Sequence, residues 1–208
     1  MTEHGCMSGW LYTKDPQGRE SVRRCKQCLL DRLAAQAGRE NCTWATWQEI
    51  LELREQTPML RTLRFAEWSA FLHSDRGKTN FGSGKTHALL AFATSWIESG
   101  KEVWYWYHPD LVERHRNAIS DHGAIVPNLG EYQHLLILDD LGAEGRSDWT
   151  RELADRILDQ RYRRRLPTLI ATNLDMAAFE ERYPRALSRL CEGLRLTWSA
   201  PDWRRRDG

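Results

Sequence analysis

The chain has 208 residues, of which 41% are apolar and 28% are charged, and its formal net charge is +1. This length allows one domain with its own core and a small appendage. The near-neutral charge excludes binding to nucleic acid through overall charge, so any such affinity must come from local basic clusters. No apolar run approaches the roughly 18–20 residues of a membrane span. The N-terminus lacks the basic and apolar regions of a secretory signal, so we expect a cytoplasmic protein with no membrane partner.

The first part of the chain, residues 1–40, is polar and rich in cysteine. Three of the five cysteines lie within the first 28 residues, which favours a metal site over a disulfide framework. Cys25 and Cys28 have the spacing of one half of a zinc knuckle. Cys6 and His4 complete the four ligands that a structural zinc site requires. The alternatives are a vestigial site or free thiols beside a basic helix.

A basic helix is predicted from Val22 to Ala37, with three leucines on one face. A second region begins near Thr43, where apolar residues recur at helical spacing as far as Phe71. We therefore predict two parts: a cysteine-containing, zinc-ribbon-like segment over residues 1–40 and a larger domain over residues 41–208.

From residue 80 onward, short apolar strands alternate with helices. The predicted strands are Val103–Tyr107, Leu135–Leu138, Thr168–Thr172 and Leu194–Trp198, and the predicted helices are His87–Ser99, Pro109–Ile119 and Asp148–Arg165. Continuous apolar strands separated by helices indicate a parallel sheet covered on both faces. The sequence therefore predicts an α/β fold.

The segment Gly82–Thr86, with the sequence GSGKT, leads directly into a predicted helix. Glycines allow backbone amides to surround phosphate oxygens, and the helix N-terminus adds positive potential. Lys85 would reach the β- and γ-phosphates, and the Thr86 hydroxyl would bind Mg²⁺. The alternative is a glycine-rich turn that begins a helix by chance.

Two features depart from the full phosphate-loop pattern. Thr79 occupies the position of the first glycine, and residues 73–78 are too polar for a central strand. We therefore expect either that Asn80 and Phe81 form an unusual approach to the loop or that the strand preceding the loop is missing. This expectation weakens the predictions of tight ATP binding and of hydrolysis.

Polar residues follow two of the predicted strands. Asp139 and Asp140 come directly after Leu135–Leu138, and Asn173 follows the next strand. In a parallel sheet these strand ends face the nucleotide crevice. Asp139 would organise Mg²⁺ and its waters, Asp140 would polarise the attacking water, and Asn173 would hold that water or sense the γ-phosphate. The alternative is that all three are ordinary turn residues.

Arg185 and Arg189 lie four residues apart, on one face of a predicted helix. One of them could reach the γ-phosphate bound by a neighbouring subunit and stabilise transition-state charge there. The alternative is an exposed basic face.

Two groups of arginines are candidates for contact with DNA. They are Arg161, Arg163, Arg164 and Arg165 at a predicted helix end, and Arg204, Arg205 and Arg206 near the C-terminus. Basic clusters can follow a phosphate backbone with little sequence preference and strong salt dependence. The alternative is a solvated face whose charge suits a helix C-terminus.

These motifs together resemble the DnaC/IstB-like branch of the AAA+ ATPases, which contains helicase loaders and transposition helpers. The resemblance runs from about Cys42 to Arg204. Its most specific stretches are Gly82-Ser-Gly-Lys-Thr-His, Leu136-Ile-Leu-Asp-Asp-Leu-Gly-Ala-Glu, Ile157-Leu-Asp-Gln-Arg-Tyr, Pro167-Thr-Leu-Ile-Ala-Thr-Asn-Leu and Arg185-Ala-Leu-Ser-Arg-Leu.

The resemblance implies an AAA+ P-loop NTPase with a five-stranded parallel sheet, ATP and Mg²⁺ as cofactors, and assembly through the nucleotide interface. By motif position, the nucleotide contacts are Gly82, Ser83, Gly84, Lys85, Thr86, His87, Asp139 and Arg204, the Mg²⁺ ligands are Thr86 and Asp139, and the catalytic residues are Asp140, Asn173, Arg189 and Arg185. Only ten residues follow Leu194–Trp198, so a full C-terminal helical lid is not expected.

The function that the resemblance implies is that of a replication helicase loader. ATP-bound subunits would assemble, bind single-stranded DNA and hold a ring-shaped hexameric helicase through the zinc-bearing N-terminus, and hydrolysis would release the helicase. The alternatives are an IstB-like transposition helper and a non-hydrolysing adaptor that has lost a working phosphate loop. The N-terminal cysteines favour the loader.

Overall fold

The computed structural model describes residues 5–38, 69–75, 82–120, 126–145 and 147–198. Several positions named from the sequence lie outside the described residues: His4, Cys42, the helical region predicted from Thr43 to Trp68, Thr79, the three arginines from Arg204 to Arg206, and residues 199–208, where a helical lid was not expected.

The N-terminal part is a β-hairpin followed by a helix. Strands β1 (Trp10–Lys14) and β2 (Glu20–Arg24) pair antiparallel, and helix α1 covers Lys26–Ala37. The prediction that a helix begins at Val22 was wrong, because this residue lies within β2 opposite Tyr12. Most side chains of the hairpin face solvent, so its strands lack the apolar alternation that identifies a half-buried strand.

Five parallel strands form the central sheet. They are β3 (Ser69–Ser74), β4 (Val103–Tyr107), β5 (Leu135–Asp139), β6 (Thr168–Ala171) and β7 (Leu194–Trp198). Their order across the sheet is β4-β5-β6-β3-β7. The predicted five-stranded parallel sheet is confirmed.

The strand before the phosphate loop is present, and the prediction that it is missing was wrong. β3 lies between β6 and β7, and Phe71, which was predicted to continue a helical pattern, is in this strand. Burial lowers the pKa of the His73 imidazole. The ring is accommodated because its Nδ1 lies 2.9 Å from the Ser74 carbonyl oxygen and its Nε2 lies 3.4 Å from Thr197 Oγ1. A polar residue with such partners can end a buried strand.

Helices cover both faces of the sheet. Besides α1 they are α2 (Lys85–Glu98), α3 (His108–Ser120), α4 (Asp148–Arg163), α5 (Met176–Arg182) and α6 (Pro184–Leu190). Leu135 and Ile137 of β5 pack in one core layer with α1 and α2, whereas Leu136 and Leu138 pack in the other with α3 to α6. This alternation explains why the first four residues of β5 are all apolar.

Helix α1 belongs to the same core as the sheet. Leu29 and Leu33 are buried against α2 and β4, and Leu30 packs beside them.

Among the described residues, no helix is long and apolar enough to cross a membrane.

Candidate nucleotide site

The phosphate-loop residues lead into the N-terminus of α2. Gly82 and Gly84 have φ angles of 67° and 91°, in the left-handed region that favours glycine. Gly84 caps α2, and a Cβ atom added there would meet no atom within 4 Å. The requirement for glycine at this position is therefore conformational rather than steric. The helix begins at Lys85, two residues earlier than predicted, and leaves its first amides available to a phosphate.

Contacts from a distant strand fix the backbone of this loop. The Lys85 side chain is buried, and its Nζ donates a hydrogen bond to Ser83 Oγ at 3.2 Å. The Trp198 indole Nε1, at the end of β7, donates to the Ser83 carbonyl oxygen at 2.8 Å. Trp198 is 1% exposed. The sequence identified it only as a strand residue, because nothing in its local pattern shows that the loop lies beside it.

The first carboxylate of the acidic pair is held in a fixed orientation. Asp139 is buried at the end of β5, where its Oδ2 accepts a hydrogen bond from the Tyr105 hydroxyl at 2.8 Å. Its Oδ1 accepts from the Asp140 amide at 3.1 Å. Tyr105 was not predicted to have a role. The contact of Tyr105 with Asp139 follows from the register of the sheet. Tyr105, on the adjacent strand β4, is opposite Ile137 of β5 and faces the same core layer as Ile137.

The second carboxylate meets the predicted sensor residue. Asp140 has a φ angle of 54°, which turns it out of the line of β5. Its Oδ1 accepts a hydrogen bond from Asn173 Nδ2 at 2.7 Å. Thr172 fixes this strand end, since its Oγ1 donates to the Leu141 carbonyl oxygen at 2.6 Å. The two residues assigned to the attacking water are therefore in contact with each other.

These groups lie at one edge of the sheet. The carboxyl ends of β5, β6 and β3 are adjacent, and β3 leads towards Gly82. The oxygen donors of Thr86 and Asp139 are of the type that Mg²⁺ prefers. We call this edge, with the start of α2, the nucleotide edge.

Arg185 and Arg189, the candidates for reaching the γ-phosphate bound by a neighbouring subunit, both lie on α6. We call them the candidate trans arginines. Arg185 is exposed, whereas Arg189 is partly buried. The Arg189 guanidinium pairs with Asp159 Oδ1 of α4 at 2.5 Å and donates to the Arg185 carbonyl oxygen at 3.0 Å. Reaching a neighbouring subunit would require Arg189 to leave Asp159.

The basic cluster at the end of α4 contains one residue that cannot contact DNA. Arg161 is 1% exposed, and burial lowers its pKa to about 10. Its guanidinium donates to the carbonyl oxygens of Leu129, Tyr132, His134 and Pro167 and to the Thr168 hydroxyl. The interpretation of Arg161 as a DNA-binding residue was therefore wrong. Arg163 and Arg164 are exposed and paired with acidic residues.

Three of the predicted zinc ligands lie together at the base of the hairpin. The sulfur atoms of Cys6, Cys25 and Cys28 are all within 4.8 Å of one another, and the Cys6 and Cys28 sulfurs are 3.3 Å apart. Thiolates bound to one zinc ion at about 2.3 Å are about 3.8 Å apart, so the arrangement fits zinc. The hydrogen bond with Cys6 raises the pKa of the Cys28 thiol to about 12. A bound cation would offset this cost of deprotonation.

The sheet order, the phosphate loop and the carboxylates at the strand ends define a P-loop NTPase of the AAA+ type. Residues 60–187, more than half of the chain, match the family of IstB-like ATP binding proteins. The chain belongs to this family, as the motifs predicted.

Similar proteins include helicase loaders. The replicative helicase loader DnaI of Bacillus subtilis (strain 168) is 33% identical over 95 residues, which are 45% of this chain and 30% of DnaI. A crystal structure of the DnaC helicase loader is 25% identical, with a TM-score of 0.55 over 68% of this chain and 87% of that one. A crystal structure of DnaI, 22% identical, has a TM-score of 0.53 over 70% and 82% of the two chains and supports the fold.

Proposed function

We propose that the chain is an ATP-hydrolysing helicase loader. The observation that carries this proposal is the contact between Asp140 and Asn173, beside an Asp139 carboxylate held by Tyr105. An acid and an amide in contact at a strand end can orient a water molecule for attack on a γ-phosphate.

Each residue of the nucleotide edge has a role in this proposal. The amides at the start of α2 and the Lys85 ammonium bind the ATP phosphates. Thr86 and Asp139 hold Mg²⁺, which neutralises charge on the β- and γ-phosphates when bound. Asp140 polarises the attacking water, and Asn173 fixes the position of that water and of the Asp140 carboxylate.

Three further contacts complete the loader hypothesis. A neighbouring copy of the chain supplies Arg189 or Arg185 to the γ-phosphate. Single-stranded DNA binds basic residues such as Arg163, Arg164 and Arg165, and a replicative helicase binds the part that contains Cys6, Cys25 and Cys28. The relatives named as helicase loaders support these assignments, and DnaI matches over only 30% of its own length.

Two alternatives remain as outcomes of the tests. A transposition helper is favoured by the match to IstB-like proteins. It predicts ATP-dependent binding to duplex DNA rather than to single strands. The non-hydrolysing adaptor has lost its main structural support, because β3 is present before the phosphate loop.

Titration with a fluorescent ATP analogue and Mg²⁺ tests the nucleotide site. We expect saturable binding that Lys85→Ala weakens by about 30- to 160-fold, because charged hydrogen bonds contribute roughly 2–3 kcal/mol. Lys101→Ala is the matched control, since the Lys101 ammonium lies over the Trp96 ring away from the site. Absence of binding by the unmodified chain would overturn the assignment as an ATPase.

A further inference from the structure

The acidic motif ends in a buried glutamate that the nucleotide chemistry does not use. The Glu144 side chain is 2% exposed. Its Oε2 accepts a hydrogen bond from the Gly142 amide at 2.8 Å and lies 2.8 Å from Nδ1 of the fully buried His108. A buried carboxylate with so many partners is usually ionised and fixed in place.

The other oxygen of Glu144 faces the helices that carry the candidate trans arginines. Oε1 accepts from Arg182 at 2.9 Å and from the Tyr183 hydroxyl. Arg182 is the last residue of α5, and Tyr183 caps the N-terminus of α6. Arg182 also donates to the Gly142 carbonyl oxygen at 2.6 Å and to that of Glu144 at 2.7 Å. We call Glu144, His108, Arg182, Tyr183 and Gly142 the Glu144 cluster.

A tight turn connects this cluster to the acidic pair. The Ala143 amide donates to the Asp140 carbonyl oxygen at 3.0 Å, which closes a four-residue turn. Gly142 has a φ angle of 100°, and a Cβ atom there would lie 2.7 Å from Leu174 Cδ1. The turn therefore requires glycine, and it links Asp140 directly to the Glu144 cluster.

We propose that Glu144 is a positioning residue that holds Asp140 and helix α6 in one arrangement. ATP bound at the nucleotide edge thereby sets the position of Arg185 and Arg189 relative to a neighbouring copy of this chain. This inference rests on the proposed function. It assigns to Glu144 a role that neither phosphate binding nor water activation requires, and it explains why one carboxylate contacts the acidic turn, α5 and the start of α6.

Hydrogen–deuterium exchange of residues 184–190 tests this coupling directly. The whole chain is compared with and without a non-hydrolysable ATP analogue and Mg²⁺, at a concentration below that of assembly. We expect the nucleotide to change exchange in α6 of the unmodified chain. In Glu144→Gln and Tyr183→Phe, we expect nucleotide binding without a change in α6. Tyr183→Phe keeps the buried ring and removes only its hydroxyl, so it serves if Glu144→Gln fails to fold.

Steady-state kinetics provides the second readout. We expect both variants to lower the turnover number about 10- to 100-fold, as small displacements of catalytic groups do, with an affinity for ATP within about threefold. Tyr162→Phe is the matched control, because the exposed Tyr162 hydroxyl donates to Glu192 rather than to the cluster. A purely structural role would instead lower the melting temperature without this separation of turnover from affinity.

The outcomes separate this inference from the proposed function. A chain that binds no ATP contradicts the proposed function, and the coupling with it. A chain that binds ATP while exchange in α6 stays unchanged contradicts the coupling alone. Full turnover by Glu144→Gln and Tyr183→Phe would also contradict the coupling alone.

Discussion

The nucleotide edge and the N-terminal hairpin differ in how their functional groups are held. At the nucleotide edge, Asp139, Asp140 and Asn173 are fixed by contacts with one another and with Tyr105. Around the hairpin, the large side chains of Met7 and Tyr12 are more than 60% exposed. Contacts among protein groups hold the first site, whereas we expect a zinc ion to link the thiols of Cys6, Cys25 and Cys28 at the second.

Helix α1 lies at the boundary between the N-terminal hairpin and the part of the chain that carries the nucleotide edge. This helix is anchored to the sheet by buried Leu29 and Leu33 and by the bond from Arg32 to the Val103 carbonyl oxygen. The hairpin is joined to the residue before β4 by an ion pair between Arg24 and Glu102 at 2.9 Å. We therefore expect the hairpin and α1 to respond differently to removal of a metal.

Removal of zinc should have the largest effect. Structural zinc contributes about 10 kcal/mol or more to folding in small zinc domains. We expect the purified chain to contain one zinc ion, and chelation to abolish protection from hydrogen exchange in residues 5–24 while α1 and ATP binding persist. Cys25→Ser should lose the metal, whereas Cys191→Ser, at an exposed thiol outside the cluster, should keep it. A metal-free chain with a fully protected hairpin would refute this prediction.

A fall in pH should have the next largest effect, and it should change the unfolding free energy through one region and not the other. Burial raises the pKa of the Glu144 carboxyl, but the hydrogen bond and charge of His108 and the hydrogen bond from Tyr183 outweigh it and lower the pKa from 4.5 to about 2. The stabilisation is complete above pH 4.5 and is lost as the pH falls towards 2. We expect unmodified protein to lose about 3 kcal/mol more unfolding free energy than Glu144→Gln over this interval.

The hairpin supplies the control for this measurement. Hydrogen bonds from the Arg19 amide and side chain lower the pKa of Asp15, but this carboxyl faces solvent. Asp15→Asn should therefore leave the acid dependence of urea unfolding unchanged. Equal responses of Asp15→Asn and Glu144→Gln would contradict the contrast between the two regions.

The smallest predicted effect concerns the bond from β7 to the phosphate loop. Trp198→Phe removes the hydrogen bond to Ser83 and should weaken nucleotide binding by about 1 kcal/mol, or roughly fivefold. Leu196→Ala, in the same strand, removes buried volume without touching the loop. Both variants should lower the melting temperature, and Trp198→Phe alone should change nucleotide affinity. Equal affinities would show that the bond does not order the loop.

The sequence predicted four of the five strands of the sheet. The bounds of β4 and β7 agree with the structure, and those of β5 and β6 differ by one residue. β5 and β6 are buried along their whole length, as apolar runs such as Leu135–Leu138 indicate. β3 was missed because His73 and Ser74 are polar, and the His73 ring is satisfied by the Ser74 carbonyl oxygen and by Thr197 of β7. The hairpin was missed because neither of its strands has a buried face.

The functional residues likewise divide into those whose local sequence indicates a role and those whose role depends on distant partners. Asp139, Asp140 and Asn173 were identified because a carboxylate or an amide follows a buried strand. Tyr105 and Trp198 were not, because their roles arise from a neighbouring strand and a distant loop. Arg161 was misinterpreted because a run of arginines suggests a solvated surface, whereas backbone carbonyl oxygens satisfy this buried guanidinium.

The most direct test of the central claim is ATP turnover by the full chain, with and without single-stranded DNA, beside Asp140→Asn. The account predicts measurable turnover by the unmodified chain. Asp140→Asn should bind ATP with similar affinity and hydrolyse it at least about 100-fold more slowly, because it lacks the general base. No turnover by the unmodified chain, or equal turnover by the variant, would contradict the assignment of Asp140 and of the hydrolytic function.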